Sequence, residues 1–288
     1  MEDDSVFGSI LRDNGIDLWG VAGFQGIKPR LIGCSALKRL PERAASVIVL
    51  LLPYYSGRHD FANISKYAMP RDYHITAGEM IGAAAKGLSQ AFTSFEFAPF
   101  CDASPVPEVE AARLAGLGNV GLNGLIINPE YGSYVFIGEI VTDMPLKASS
   151  SPGESCIGCS VCQKGCPTRA LCDGRVDIGR CLSHISQKKG ALTGQEEALL
   201  KLSGSIWGCD VCQDVCPMNR GAAITPIEAF KTQLVTHISG KELSDKDFAK
   251  KNRDRAFMWR GEAVLKRNLC IIESAPVDNN INSKKVQG

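Results

Sequence analysis

The side chains of this chain that are best suited to chemistry are its cysteines. The 288-residue sequence contains 12 of them, and nine lie between residues 156 and 216. Seven of these nine form two arms, C-x2-C-x2-C-x3-C-P starting at Cys156 and C-x2-C-x3-C-P starting at Cys209, and Cys172 and Cys181 lie between the arms. Three thiolates at this spacing wrap one face of an iron–sulfur cubane, and the cysteine before the proline reaches the other cluster in two-cluster ferredoxins. The spacing therefore predicts two 4Fe-4S clusters that exchange single electrons.

The same rule divides the cysteines into two sets of ligands. The first cysteine set consists of Cys156, Cys159, Cys162 and Cys216. The second cysteine set consists of Cys166, Cys181, Cys209 and Cys212. A ferredoxin would place the last ligand of the second set three residues before Cys209, but Ile206 stands there. Cys181 is therefore the expected replacement, and Cys172 is the alternative. Two structural zinc sites would also use eight thiolates, but zinc sites seldom bring three cysteines into seven residues.

The composition limits the classes of protein that the chain can be. Its 32 basic and 31 acidic residues and its 44% hydrophobic content exclude a disordered protein. The longest apolar run, Val47 to Leu52, is too short to span a bilayer, and the acidic start Met1-Glu2-Asp3-Asp4 differs from a secretory signal. We therefore expect a cytoplasmic protein without a membrane partner, whose cysteines bind metal. Small buried side chains are expected at Cys34, Cys172 and Cys270.

Helical and strand patterns alternate before the cysteine arms. Helices are predicted at Val6–Asn14, Thr76–Thr93 and Glu108–Ala115, and strands at Ser46–Leu52, Leu125–Asn128 and Tyr134–Val141. This alternation predicts a layered domain of the α+β class. A linker rich in Ser, Pro and Gly follows at 147–155. The expected divisions are a first domain at 1–147, the cysteine arms at 148–220, a helical segment at 221–274 and a disordered tail at 275–288.

A series of short motifs runs through the chain. They are Arg71-Asp72-Tyr73-His74, CDASPVPE at 101–108, AGLGNVGLN at 115–123, PEYGS at 129–133, FIGEI at 136–140, GCDVCQ at 208–213 and Arg267-Asn268. In this combination, and in register from about residue 40 to about residue 270, the chain resembles the epoxyqueuosine reductase family. That family is similar in fold and logic to the corrinoid reductive dehalogenases.

The resemblance implies a nitroreductase-like α/β catalytic domain that binds cobalamin, followed by a ferredoxin-like two-cluster domain. Electrons pass through the clusters to the cofactor, and the epoxide of epoxyqueuosine in tRNA is reduced to give queuosine. The implied partners are tRNA and a donor such as flavodoxin or ferredoxin, and the implied form is a short one without C-terminal helical repeats. From Lys241 to Arg267, nine basic and five acidic residues could supply the phosphate contacts.

The resemblance also implies roles for particular residues. Asp102 takes the position of the general acid, and its place at a strand end predicts an apolar setting that raises its pKa. The alternative is that Asp102 only caps the helix that begins near Pro107. The glycines of the 115–123 motif are expected to let the backbone approach the corrin ring, although a plain turn would look the same. The expected cofactor contacts are Tyr73, His74, Gly116, Gly118, Gly121 and Asn123.

The glycine motif departs from the family pattern at three positions. Asn119, Leu122 and Gly124 stand where the family usually has Trp, Lys and Thr. These changes keep two other hypotheses open. One is a corrinoid reductase of a small molecule, and the other is a ferredoxin-type electron carrier without a substrate of its own. Cobalamin binding distinguishes the enzymes from the carrier.

Overall fold

The structure is a computed structural model that describes residues 2–150, 156–172 and 174–274. Its strands are β1 (Leu18–Gly23), β2 (Ser46–Pro53), β3 (Phe97–Cys101), β4 (Asn119–Val120), β5 (Ile126–Ile127), β6 (Val135–Thr142), β7 (Leu171–Cys172) and β8 (Arg175–Val176). Its α-helices are α1 (Glu2–Asp13), α2 (Phe24–Ile27), α3 (Tyr73–Ala91), α4 (Glu108–Leu114), α5 (Val161–Gly165), α6 (Leu182–Ser186), α7 (Gly194–Leu200), α8 (Val211–Asp214), α9 (Gly240–Leu243), α10 (Phe248–Lys251) and α11 (Glu262–Glu273). The expected tail at 275–288 and the end of the expected linker, at 151–155, lie outside the described residues.

Short 3-10 helices join several of these elements. They span Lys28–Arg30, Ser35–Arg39, Lys66–Ala68, Pro217–Asn219, Glu228–Phe230 and Ala256–Met258. Within the described ranges, we find no helix that combines the length and the apolar character needed to cross a membrane.

A four-stranded antiparallel sheet, in the order β1-β2-β6-β3, forms the centre of the first half of the chain. β2 pairs with β6 along its whole length, from Ser46 opposite Thr142 to Pro53 opposite Val135. The sheet and its helices give the mixed α and β content that the alternating patterns predict. β1 was not predicted, because its run Leu-Trp-Gly-Val-Ala-Gly contains two glycines and is weakly strand-like.

Every residue of β2 is buried, because both faces of the sheet are covered. On one face, side chains such as Ile48 and Leu50 pack with α1 and α3. On the other face, side chains such as Val49 pack with α2 and α4. The predictions of α1, β2, α3, α4 and β6 are confirmed, with ends shifted by a few residues. The strand predicted at Leu125–Asn128 shrinks to the two residues of β5.

The cysteine arms form short helices that pack side by side. α5 of the first arm lies against α8 of the second arm, and α11 packs on α7 and α9. Asn268 of α11 is fully buried and donates from Nδ2 to the carbonyl oxygens of Ser186, at 2.7 Å, and Ile206, at 2.8 Å. The C-terminal helix therefore fastens the segment that follows Cys181 to the segment that precedes Cys209.

A buried polar network, which we name the Ser133 lock, ties the second arm to the central sheet. Gln213 donates from Nε2 to the carbonyl oxygen of Ser133 at 3.0 Å. Asn219 donates from Nδ2 to Ser133 Oγ at 2.9 Å, and its Oδ1 accepts from the Ser133 N–H at 2.8 Å. Because Ser133 lies two residues before β6, the register of that strand fixes where the second arm sits.

Candidate active site

The structure gathers the cysteines of the arms around two cavities. Those of the first cysteine set line a cavity of about 20 Å³. Those of the second cysteine set line a larger cavity of about 470 Å³, and Cys181, not Cys172, is in its lining. Asn123 lines both cavities, so the two cysteine sets adjoin one another.

The electrostatic neighbours of the thiols follow the same division. Burial raises the pKa of Cys212 to about 12, with further contributions from Cys209, Cys181 and Cys166. Burial also raises the pKa of Cys162, and the Cys216 and Cys156 thiols add to the effect. Among the residues that the structure describes, no group of three or more His, Cys, Asp or Glu side chains closes tightly enough to hold a single metal ion. The thiols of each set are thus neighbours that do not converge on one point.

The larger cavity brings two kinds of chemistry together. We name the part of its lining formed by Cys166, Cys181, Cys209 and Cys212 the cysteine wall. We name the part formed by Tyr73, Asp102 and Glu108 the acid wall. Apolar side chains of β6, including Val135 and Ile137, line the rest of the space with others. A molecule in this cavity would contact the sheet domain and the cysteine arms together.

The acid wall is organised by the start of α3. Asp72 is the N-cap of this helix. Its Oδ1 accepts a hydrogen bond from the His74 N–H at 3.0 Å and lies 2.8 Å from His74 Nδ1. His74 Nε2 then lies 2.8 Å from Asp102 Oδ2, and the Tyr73 hydroxyl donates to the same oxygen at 3.1 Å. The helix cap therefore aims two consecutive side chains at the carboxyl group that follows β3.

These contacts set the charges of the pair. The hydrogen bond from His74, with smaller contributions from the Ala103 N–H and Tyr73, lowers the pKa of Asp102 to about 2. Hydrogen bonds to Asp102 and then to Asp72 raise the pKa of His74 to about 9. The expectation of a raised pKa at Asp102 is therefore wrong, because the side chain is about half exposed and bonded to donors. At neutral pH, the proton of this pair resides on His74.

The loop after β3 holds Asp102 in an uncommon backbone conformation. Asp102 has a φ of 54° and Ala103 a φ of 39°, so two consecutive residues with a Cβ lie in the left-handed region. The alternative role of Asp102 as a helix cap is wrong, because Pro107 occupies the N-cap position of α4. Asp102 Oδ1 instead accepts from the Ala103 N–H at 2.9 Å. Strain of this kind is concentrated at functional sites.

Two acids near this loop were missed by the sequence reasoning as site residues. Glu108 lines the larger cavity, and burial followed by the charge of Asp102 raises its pKa to about 7. Glu139 of β6 is fully buried, and burial followed by the charge of Glu108 raises its pKa well above the usual range. Both lie in motifs quoted above, CDASPVPE and FIGEI, so a signal was present. Charged residues are rare in buried strands, so Glu139 within the apolar run of β6 was the sequence feature that marked a site residue.

The glycines of the 115–123 motif mainly serve the packing of the chain against itself. A Cβ on Gly116 would lie 2.1 Å from the carbonyl oxygen of Ser150, and one on Gly118 would lie 2.3 Å from that of Ile127. Gly116, Gly118 and Gly121 are absent from the lining of the larger cavity, and their approach to a corrin ring stays a prediction.

Among the other expected contacts, Tyr73 and Asn123 line the larger cavity, whereas His74 reaches it through Asp102. Asn123 Nδ2 is buried and has no hydrogen-bond partner among the described residues. Leu122, one of the three departures, lines the smaller cavity beside the first cysteine set. Gly124 faces β8, because a Cβ there would lie 3.3 Å from Val176.

Two expectations about the rest of the chain need correction or refinement. Cys34, Cys172 and Cys270 are all exposed, so the prediction that they are buried is wrong. Each lies on a surface element: the start of a 3-10 helix, a short hairpin and the outer face of α11. In the basic stretch 241–267, Lys251 pairs with Asp245 at 2.7 Å and Lys266 with Glu262 at 2.9 Å, which offsets part of the local positive charge.

The fold and the site together define an iron–sulfur protein in which a two-cluster domain docks on a mixed α and β domain. Residues 155–219 match the family profile described as a 4Fe-4S double cluster binding domain. Residues 35–103 match the profile described as epoxyqueuosine reductase QueG, DUF1730. The first of these matches favours iron–sulfur clusters over the zinc alternative.

Three curated epoxyqueuosine reductases show the relationship over longer stretches. The protein of Lactococcus garvieae is 34% identical over 212 residues, covering 72% of this chain and 60% of the relative. That of Escherichia coli is 34% identical over 249 residues, covering 84% and 64%. That of Leadbetterella byssophila is 32% identical over 242 residues, covering 82% and 80%. The chain belongs to the epoxyqueuosine reductase family, and it spans less than two thirds of the length of the first two relatives.

Solved structures share the fold. Epoxyqueuosine reductase from Streptococcus thermophilus has a TM-score of 0.78 at 25% identity, covering 94% of this chain and 81% of that chain. An epoxyqueuosine reductase crystallised with an epoxyqueuosine-modified tRNA stem loop has a TM-score of 0.82 at 22% identity, covering 94% and 80%. The catabolic reductive dehalogenase NpRdhA has a TM-score of 0.52 at 14% identity, covering 93% and 35%. The relation to the dehalogenases is thus one of fold.

Proposed function

We propose that this protein is an epoxyqueuosine reductase, which reduces the epoxide of epoxyqueuosine in tRNA to the alkene of queuosine. The observation that carries the proposal is the larger cavity, where the acid wall and the cysteine wall line one space of about 470 Å³. Conversion of an epoxide to an alkene and water consumes two electrons and two protons. A site lined by cluster ligands and by acids is suited to deliver both.

The two cysteine sets are the proposed ligands of two 4Fe-4S clusters. Four thiolates per cluster satisfy the usual ligand count, and each set lines its own cavity. The first cluster would be held beside Leu122, and the second at the cysteine wall, where α8 and the start of α6 meet the larger cavity. Because Asn123 lines both cavities, an electron would travel only a short way from the first cluster to the second.

Cobalamin is the cofactor that we propose for the larger cavity. Asn123 Nδ2 offers a buried donor that has no partner among the described residues, and an oxygen of the cofactor would satisfy it. Tyr73 and the apolar side chains Val135 and Ile137 offer further contacts for a flat ring. When bound and reduced, cobalamin supplies the electron-transfer chemistry that protein side chains lack.

Asp102 and His74 are proposed to act as one proton-donating unit. His74 carries the proton at neutral pH and its Nε2 lies 2.8 Å from Asp102 Oδ2, so this one proton would pass from the imidazolium to the Asp102 carboxylate and from there to the leaving oxygen. Tyr73 donates to the same Oδ2 and fixes the orientation of the carboxylate. In this scheme Asp102 is the catalytic residue, and His74 and Tyr73 position and supply it.

The proposal extends to the surroundings of the site. Residues 1–147 would form a nitroreductase-like catalytic domain, 148–220 a ferredoxin-like domain and 221–274 a helical segment. The tRNA would contact basic side chains of the stretch 241–267, and flavodoxin or ferredoxin would reduce the clusters in the cytoplasm. Support for tRNA as the substrate comes from family membership and from the relative that was crystallised with a modified tRNA stem loop.

Two measurements on the cluster-loaded protein test this function. Titration with cobalamin, followed by the absorption of the cofactor, should show saturable binding, and reduced protein should convert epoxyqueuosine in tRNA to queuosine. Asp102→Asn should keep both clusters and cobalamin binding but lower turnover by about 100-fold or more, as expected for loss of an acid. Asp13→Asn, an exposed change in α1, is the matched control. Absence of cobalamin binding, or full activity of Asp102→Asn, would overturn the assignment.

A further inference from the structure

Two carboxyl groups, Glu108 in the acid wall and Glu139 behind it, take no part in the Asp102–His74 unit. Glu108 begins α4 and lines the larger cavity, while Glu139 lies in the middle of β6 with none of its surface exposed. Glu108 Oε1 and both carboxyl oxygens of Glu139 are buried without a hydrogen-bond partner among the described residues. An ionised carboxylate in such a place lacks both water and donors, so the protonated form is favoured.

Groups from each neighbouring element act on these two acids. β3 and the loop after it contribute Cys101 and Asp102, and α3 contributes His74. The negative charge of Asp102 favours protonation of Glu108, whereas the Asp102 N–H and the charge of His74 oppose it more weakly. Glu139 faces Glu108 and Asp102, and Ser104 beside it offsets little, because its hydroxyl makes no hydrogen bond of ordinary geometry to Glu139.

The order in which the two acids lose protons follows from their positions. Glu108 lines the cavity, whereas Glu139 is sealed inside the sheet. Two adjacent buried carboxylates do not both ionise readily. Glu108 therefore gives up its proton first, and Glu139 stays neutral behind it.

We propose that Glu108 is a second proton donor of the cavity, acting beside Asp102, and that Glu139 stays protonated behind it. This inference rests on the proposed function. The carbon–oxygen bonds of the epoxide break as two electrons arrive and the alkene forms. Asp102 delivers one proton to the departing oxygen and Glu108 delivers the other, so the oxygen leaves as water. Glu108 is left as a carboxylate and regains its proton from solvent.

The protonation of Glu108 can be observed without catalysis. Infrared difference spectra of the full-length, cluster-loaded protein should show a carboxylic acid that disappears with a midpoint near pH 7. The band should be missing in Glu108→Gln and present in Glu110→Gln. Glu110 is the matched control because it lies on the same helix but bonds to Arg113 at 2.8 Å, which lowers its pKa. Ionisation of Glu108 already at pH 5 would overturn the proposal.

Turnover supplies the second test. Wild type should lose rate above pH 7 as Glu108 loses the donor proton, and Glu108→Gln should lower the rate by about 100-fold or more and remove this decline. Glu108→Asp should restore part of the rate, and Glu110→Gln should behave as wild type. A Glu108→Gln protein with the wild-type rate and pH profile contradicts the proposal. Should this variant fail to fold, the wild-type infrared titration and Glu108→Asp still decide. Failure to bind cobalamin would instead contradict the proposed function, and the infrared result on Glu108 would remain valid.

Discussion

The cysteine wall and the acid wall line the same cavity but are specified in different ways. The cysteine wall consists of one residue type at fixed spacing, and its purpose can be read from Cys166, Cys209 and Cys212 alone. The acid wall consists of ordinary polar residues whose protonation depends on contacts across the fold. His74 lies 28 positions before Asp102 in sequence and 2.8 Å from it in space. The metal site can therefore be predicted from local sequence spacing, whereas the protonation of the acid wall depends on contacts between distant parts of the chain.

The largest expected effect comes from breaking the cysteine wall. Cys181→Ser should remove the second cluster, about half of the bound iron, because each cubane needs four protein ligands. Turnover should be lost with it. Cys172→Ser is the matched control, because this exposed cysteine lies outside the lining of the cavity, and it should retain wild-type iron. Iron and sulfide analysis with electron paramagnetic resonance decides; loss of iron in the Cys172 variant alone would reverse the assignment.

A smaller effect is expected from the acid wall, in the dependence of stability on pH. His74 has a usual pKa of 6.5 and a folded pKa of about 9, so its stabilising contribution is complete below pH 6.5 and is lost as pH rises through 9. The loss should be about 1 kcal/mol at most, because both partners are about half exposed and solvent screens them. Glu108 contributes its own loss mainly below pH 7, whereas Glu139, whose pKa lies well above its usual range, also contributes above pH 7, so a His74 variant is needed to isolate the histidine.

The check is anaerobic thermal unfolding of wild type and His74→Asn between pH 7 and pH 9.5. Wild type should lose stability across this range, and the variant should lose less. His237→Asn, a change at an exposed histidine, should follow wild type. Equal slopes for wild type and His74→Asn would show that the imidazolium does not hold Asp102.

The smallest expected effect concerns the loop that carries Asp102. Ala103 has a φ of 39°, where a Cβ is unfavourable, so Ala103→Gly should raise the free energy of unfolding by about 1 kcal/mol. Ala91→Gly, at the exposed end of α3, should lower it by up to about 1 kcal/mol, because glycine is a poor helix former. Denaturant unfolding of the two variants gives the comparison. A decrease for Ala103→Gly would mean that the loop conformation is not strained.

The sequence predicted most of the elements that position the site, because periodicity reports which faces are buried. β2 reads as an unbroken apolar run, and α3 and α4 carry helical patterns that the structure confirms. It did not predict the low pKa of Asp102, since no local pattern shows that His74 would approach it. Nor did it predict that Gly116 leaves room for the carbonyl oxygen of Ser150, because that contact joins segments that are distant in sequence.

Strand β6 carries a consequence for how this protein can vary. Ser133, just before the strand, forms the lock that seats the second arm, and Glu139 lies within the strand behind the acid wall. Alternate residues of a strand face opposite sides, so a single inserted or deleted residue between these two would turn one of them away. Substitutions here can be absorbed one at a time, but a change in length cannot. We therefore expect the spacing of six residues between Ser133 and Glu139 to stay constant during evolution, while the lengths of the surface loops vary.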